Sequence, residues 1–466
     1  RVEQTGTLSM ARRITFPILF ACILLASSGA QAQEWNSQNN TQGPLPALFS
    51  FKRSGNPNRT QYGGPTDAAI PVQYPAARNA VPGVPYYGPD GIVHSRVPIQ
   101  PEWNDLTPLE ATLQAVFQKS WYRLEWMQWQ INRPGTSLLG APLNIIGRPQ
   151  DGFPVFDLQT PPNVIGGARV ATLDPIAMRD TNGLRGTIGL PTSFGAIEAN
   201  FFALEQASDS FRAAGLKPQQ NEFDINGVLV NVIPGRFIAT SLLENGQPSD
   251  LVELYNREFE VTYRTDVLGA EINFIRDDLI EFGLPGGVEI QPMFGYRFLL
   301  IQEEIQQAGQ FEDVTGAVPL LTSLINSSTS NNLFGPSIGT RIEFQHERFT
   351  LGFNPKFTLA TNVYRARVRT ERFRLAADPT VETEDRSVSF SPIGELQTYA
   401  RIRVTDSMWV SVGYSLLYIS RLTRPHDNVF YNDNGAFPTP PGVVLKTKET
   451  YMRIDGLTLG VEIILP

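Results

Sequence analysis

Histidine and cysteine are scarce in this chain, while Ser and Glu are too plentiful for any one of them to stand out as a hydrolytic or metal-binding group. Its only imidazoles are His94, in the proline-rich stretch, His346, beside Glu347 in an expected periplasmic turn, and His426, beside Asp427 in an external loop, which makes His426-Asp427 the only candidate dyad. Such a pair can serve as base and orienting acid, but only where folding also brings a nucleophile and substrate within hydrogen-bond reach. Adjacency alone favours a solvated turn. Asp427, Asn428, Asn432, Asp433, Asn434 and Gly435 offer oxygen ligands of the kind calcium takes. Their spacing matches no known calcium loop, and Asn and Asp are ordinary turn residues. No phosphate-cradling glycine loop, Cys/His zinc spacing or nucleophile elbow occurs, so no cofactor, metal or catalytic residue is expected.

The larger set of reactive groups is charged and spaced by two. In residues 288–304, VEIQPMFGYRFLLIQEE, one phase carries Val288, Ile290, Pro292, Phe294, Tyr296, Phe298 and Leu300. The other carries Glu289, Gln291, Gly295, Arg297 and Glu303, with Met293, Leu299 and Ile301 as exceptions. A period of two is a strand with one apolar and one polar face. The same period recurs in ten segments: 121–131, 183–190, 195–204, 259–275, 288–302, 332–344, 349–364, 389–403, 408–420 and 450–464. Their polar phases hold seven basic residues, Arg123, Arg185, Arg297, Arg341, Lys356, Arg401 and Arg403. They hold seven acidic ones as well, Glu125, Glu198, Glu271, Glu289, Glu343, Glu395 and Glu462, together with Asn273. Equal numbers of the two signs point to paired charges on a shared surface.

The connections between these segments are sorted. Gaps after the second, fourth, sixth and eighth segments are brief (PTSF, a stretch around LPGG, QHER, VTDS), whereas the others are long and rich in Pro, Asn, Asp and Ser. A soluble sandwich has little reason to sort its loops; an outer-membrane barrel has short periplasmic turns and long external loops. Aromatic residues recur towards segment ends, as interfacial girdles require: Tyr122 and Trp126, Phe344 and Phe349, Tyr414 and Tyr418. Met10-Ala11-Arg12-Arg13, an apolar run from Ile14 to Ala26, and Ala30-Gln31-Ala32 read as a cleavable signal peptide. The only cysteine, Cys22, falls inside its apolar region, which leaves an exported chain without disulfides. No later segment has 18 or more consecutive apolar residues, so a membrane location requires a closed barrel. The formal net charge of −8 disfavours nucleic acid as a partner.

The expected organisation is therefore a signal peptide over 1–32, a Pro/Gly/Asn-rich, largely disordered periplasmic segment over 33–104, a short amphipathic helix over 105–119, and an all-β domain over 120–466. That domain is expected to be a transmembrane antiparallel up-and-down β-barrel of ten strands. Twelve strands stay open, because 137–147 or 226–240 could hide a weak pair. Outer-membrane lipid and the barrel-assembly machinery are the expected partners. The second is suggested by Thr458-Leu459-Gly460-Val461-Glu462-Ile463-Ile464-Leu465, which resembles an assembly signal with two departures, Leu465 in place of the usual final aromatic and Pro466 after it.

Several motifs then carry a family resemblance. Tyr122-Arg123-Leu124-Glu125-Trp126-Met127-Gln128-Trp129 resembles the Arg-x-Glu-x-x-x-Trp first-strand motif of a planctomycete outer-membrane family, beta-barrel porin family seven. Leu268-Gly269-Ala270-Glu271-Ile272-Asn273 is similar to its Trp-Gly-Ala-Glu-x-Asn motif. Gly295-Tyr296-Arg297-Phe298-Leu299 with Glu303-Glu304, then Asn332-Leu333-Phe334-Gly335 and Val412-Gly413-Tyr414, match in order. The chain departs from the family at His426, where Gly is commoner. The resemblance implies a porin-like barrel and lends no catalytic residue or substrate. Eight strands give an interior that side chains just fill, and 16–18 give a channel. Ten strands leave two readings: a narrow passage for ions or small polar solutes, which the resemblance favours, or a plugged barrel that anchors and displays external loops. An external-rim hydrolase built on His426 is the third class.

Overall fold

The computed structural model describes residues 120–143, 150–156, 164–276, 287–313, 320–433 and 442–465, and the backbone alone of 86–87, 93–94 and 280–282. The expected signal peptide and helix lie outside these residues, as does the proline-rich segment but for Tyr86–Tyr87, paired antiparallel with Val93–His94. Residues 1–98 form one unit and 99–466 another.

In the second unit ten strands pair into a ring. They are β1 (Trp121–Ile131), β2 (Thr181–Thr192), β3 (Gly195–Leu204), β4 (Glu258–Arg276), β5 (Val288–Phe311), β6 (Leu321–His346), β7 (Phe349–Thr358), β8 (Ile393–Arg403), β9 (Met408–Thr423) and β10 (Glu449–Ile464). Each is antiparallel to the next, and β10 pairs back onto β1. Three further strands lengthen the wall on the long-loop side. Ala207–Arg212 follows β3 along β4, Thr361–Glu371 follows β7 along β6, and Val381–Phe390 leads into β8 along Thr361–Glu371.

The strands overrun the segments expected from periodicity. The 288–302 segment continues to Phe311, 332–344 begins at Leu321, and 349–364 is two strands that end at Glu371. The reason is an inversion of phase. On β4 the outward residues are Glu258, Glu260, Thr262, Arg264 and Asp266, then Leu268, Ile272 and Phe274, while the inward ones run Phe259, Val261, Tyr263 and Val267, then Glu271 and Asn273. Alternation persists, but the apolar residues change sides between Val267 and Leu268. β5 does the same: Leu299 and Ile301, exceptions in the sequence pattern, are buried inside while Gln302 faces out.

The inversion is in register around the wall. Asp266, Gln302, Ser330, Arg365 and Arg386 are successive cross-strand partners, and Leu268, Leu300, Asn332, Val363 and Val388 form the row beneath them. Inward glycines let large side chains lie across the neighbouring strand: a Cβ on Gly269 or Gly352 would overlap the ring of Phe202 or Tyr399.

The two regions that left twelve strands open do not enter the ring. Leu229–Ile233 pairs with Gln220–Phe223, and Gly235–Glu244 belongs to a separate sheet. The described part of 137–147 makes only the isolated bridges Leu138–Thr172 and Leu143–Ser249. The separate sheet packs Gly235–Glu244 parallel to Val164–Val170, with Gln247–Tyr255 and Phe153–Phe156 on its edges and Asn432–Asp433 added parallel at one end. It draws on three of the long connections.

Candidate functional site

Six cations and six carboxylates meet inside the ring. Arg123 bonds Glu462 at 2.8 Å and approaches Glu198 at 3.8 Å; Arg341 reaches the other oxygen of Glu198 at 2.6 Å. Arg401 joins Glu462 at 3.2 Å and Glu343 at 2.7 Å, and the Tyr399 hydroxyl also donates to Glu343. Across the interior Arg297 and Lys356 both bridge Glu271 and Glu395, with Lys356 Nζ 2.5 Å from Glu271 and 3.3 Å from Glu395. Asn273 donates to Glu271 at 2.5 Å. Arg185 stands 3.5 Å from Glu125 and lies over the rings of Trp129 and Phe202.

Thirteen of the fifteen polar-phase residues named from sequence thus share one enclosed interior. Glu289 and Arg403 do not join it. Glu289 accepts from Gln345 at the short-turn end, and Arg403 pairs with the fully exposed Asp406 at 2.8 Å. Both sit one strand-end too far out: alternation assigns a side but not a depth.

The charged layer encloses a cavity of about 40 Å³. That is room for a few waters, at roughly 10–15 Å³ each, and not for a continuous column. Above it, on the long-loop side, the interior turns apolar. Met127, Trp129 and Ile131 of β1, Val267, Leu299, Ile301, Leu333, Leu417, Ile419, Met452 and Ile454 all point in and are buried. Leu173, Ile176 and Met178, from the β1–β2 connection, complete this core at 1% exposure or less. Backbone hydrogen bonds tie the connection down, Met178 accepting from Ile131 and Ala171 from Leu139.

One polar cluster is embedded in this plug. A bulge in β9, where Arg421 adopts a positive φ of 55°, turns Leu422 to Pro425 inward. Arg424 is then buried and bonds the fully buried Glu303 through Nη2 at 2.8 Å and Nε at 3.1 Å. Tyr263 donates to Glu303 at 2.9 Å and meets His426 Nδ1 at 3.1 Å. Asn331 donates to the Thr423 carbonyl and Ser327 to that of Pro425.

The solvated turn expected at His426 is therefore corrected: its side chain is 4% exposed, in a 3-10 turn that fills the ring. Burial, with Arg424 and Lys448 near, holds its pKa well below the ordinary value and keeps the imidazole neutral. His346 is exposed at a short turn and stacks on Phe349. Periodicity passed over Glu303–Arg424 because Arg424 lies beyond the bulge. The apolar exceptions Leu299 and Ile301 were the available signal for the plug.

A family model described as "Putative beta barrel porin-7" matches residues 121–464. No curated protein matches the chain. Among solved structures, the outer membrane protease OmpT from Escherichia coli is similar at 10% identity and TM-score 0.35, covering 75% of this chain and 97% of that one. A Pseudomonas aeruginosa FadL homologue has 9% identity and TM-score 0.20, covering 74% and 90%. The P. putida toluene transporter TodX has 8% identity and TM-score 0.14, covering 76% and 91%.

Proposed function

The chain belongs to the beta barrel porin-7 family, and from that premise we propose that it is an outer-membrane barrel whose interior is sealed, and which anchors and displays the sheet built from its long connections. The observation that carries this is the double inversion. Up to one registered level β4 and β5 are apolar outside and charged inside; above it they are polar outside and mainly apolar inside, with Glu303 and Gln307 as inward exceptions, while β6 turns Ser327, Thr329 and Asn331 inward beside them.

The outer half of the reading rests on the lower zone. Leu124, Leu184, Ile272, Phe294, Ile338, Phe353, Val412 and Leu459 are all exposed around the ring. Ile290 to Leu300 rises about 34 Å along β5, which a tilt of roughly 40° reduces to ~26 Å, near the ~25 Å apolar band of such barrels. β5 has 24 residues, far more than the ~9–11 that cross a membrane. Its remainder stands clear of the lipid on the loop side.

The inner half favours the plugged reading over the narrow passage. Six charges of each sign are neutralised in pairs, and the core above them is filled mainly by apolar side chains, its polar groups around Glu303 and Arg424 being buried and bonded to one another, which disfavours an open polar path for a solute. A hydrolase at His426 is disfavoured for the same reason, since the imidazole is enclosed in the plug with Tyr263. Outer-membrane lipid and the assembly machinery are the proposed partners, with export by the signal peptide.

Fractionation tests the membrane half. The protein should sediment with membranes, resist salt extraction and migrate faster unheated than boiled on a detergent gel. Recovery in the soluble fraction would reject this reading in favour of an exported sandwich.

A further inference from the structure

A groove of about 310 Å³ lies on the outside of the wall, immediately above the edge of the apolar zone. Its floor is made by two small outward residues of β6, Ser328 and Ser330. On one side they face Arg367 and Arg365 of Thr361–Glu371, and on the other Glu304 and Gln302 of β5. The rows are direct cross-strand partners: Glu304–Ser328–Arg367 and Gln302–Ser330–Arg365. The next row down, Leu300–Asn332–Val363, begins the apolar face. The groove is therefore polar at its head and open to an apolar surface below.

Its charges are separated. Arg365 lies directly opposite Arg386, a like-charge pairing that a sheet disfavours, and Glu384 is the one carboxylate bonded to both. Arg367 meets Glu382 at 3.4 Å, so Arg365, Arg367 and Arg386 share two carboxylates and this wall keeps a positive excess. The other wall carries Glu304 and Asp266, with Arg264 3.7 Å from Glu304. The walls are two strand spacings apart, roughly 10 Å. Arginine forks suit phosphate oxygens, and the two serine hydroxyls can donate from beneath.

We propose that this groove seats a zwitterionic lipid headgroup of the phosphoethanolamine class, its phosphate against Arg365 and Arg367, its amine towards Glu304, and its acyl chains over Val363 and Leu300. A membrane lipid is the occupant, and not free phosphate, because the groove opens onto the apolar zone at the height where headgroups meet hydrocarbon. The inference rests on the membrane reading above.

The test is native mass spectrometry of the full, detergent-solubilised protein titrated with short-chain phosphatidylethanolamine. Arg365→Gln/Arg367→Gln should weaken binding about tenfold or more. Ser330→Phe, which fills the floor and keeps every charge, should do the same and decides the matter if the arginine variant does not fold. Arg453→Gln, an exposed arginine elsewhere on the outer face, should bind as wild type does. Equal binding by wild type and Ser330→Phe, equal binding of phosphatidylglycerol, or equal competition by inorganic phosphate would overturn the proposal. All variants are also fractionated: membrane-bound variants with unchanged lipid binding sink this inference alone, whereas soluble wild type sinks the membrane reading.

Discussion

Arg424→Met is expected to destabilise the plug by about 3–5 kcal/mol, because it leaves the Glu303 carboxylate buried without a cation. The pair sits well above the charged layer, among Tyr263, Ile301, Ile305 and Leu422, where among the described residues no other cation is bonded to Glu303. Tyr263 and Thr265 still donate to it, but two neutral hydroxyls do not replace a guanidinium. Glu303→Leu/Arg424→Met should recover most of the loss, since an apolar pair of similar bulk suits this core. Hydrogen exchange reads the effect directly. The amides of Leu173 to Met178 and of Thr423 should exchange faster in Arg424→Met and near the wild-type rate in the double variant. Unchanged exchange in the single variant would mean that the cluster does not hold the plug.

The second large effect separates the two outer zones on one strand face. Ile272 and Thr262 both point outward from β4, ten residues apart, on either side of the inversion. Ile272→Arg should cost about 2–4 kcal/mol in a bilayer, the penalty for a cation at mid-depth on a barrel's lipid face. Thr262→Arg should cost little, since Glu260 and Arg264 already flank it in solvent. Reversible urea unfolding in lipid vesicles compares the two. Equal stabilities would place β4 wholly in water or wholly in lipid, and either contradicts the registered edge.

The ring and its charged lining were legible because both are written in a period of two. Arg123, Glu125, Arg297 and Lys356 could be assigned a side from their neighbours alone. Depth was not legible. Glu289 and Arg403 have the right phase and the wrong height, since alternation carries no coordinate along the strand. The plug was hidden for a related reason: Tyr263 and Ile301 look like breaks in an amphipathic pattern when they are the same pattern with its sides exchanged. His426 could not be placed, because its burial depends on the β9 bulge at Arg421, and a non-glycine residue at positive φ leaves little mark in sequence. The sheet of Phe153–Phe156, Val164–Val170, Gly235–Glu244 and Gln247–Tyr255 is assembled from distant connections through a central parallel pairing, which no local period announces.

Single-channel recording in planar lipid bilayers tests the central claim most directly. Protein shown by heat-modifiable migration to be folded and inserted should give no conductance steps across ordinary voltages, because the charged layer leaves about 40 Å³ and the apolar core closes the path above it. Regular steps of uniform size from the same inserted protein would contradict a sealed interior and restore the narrow passage.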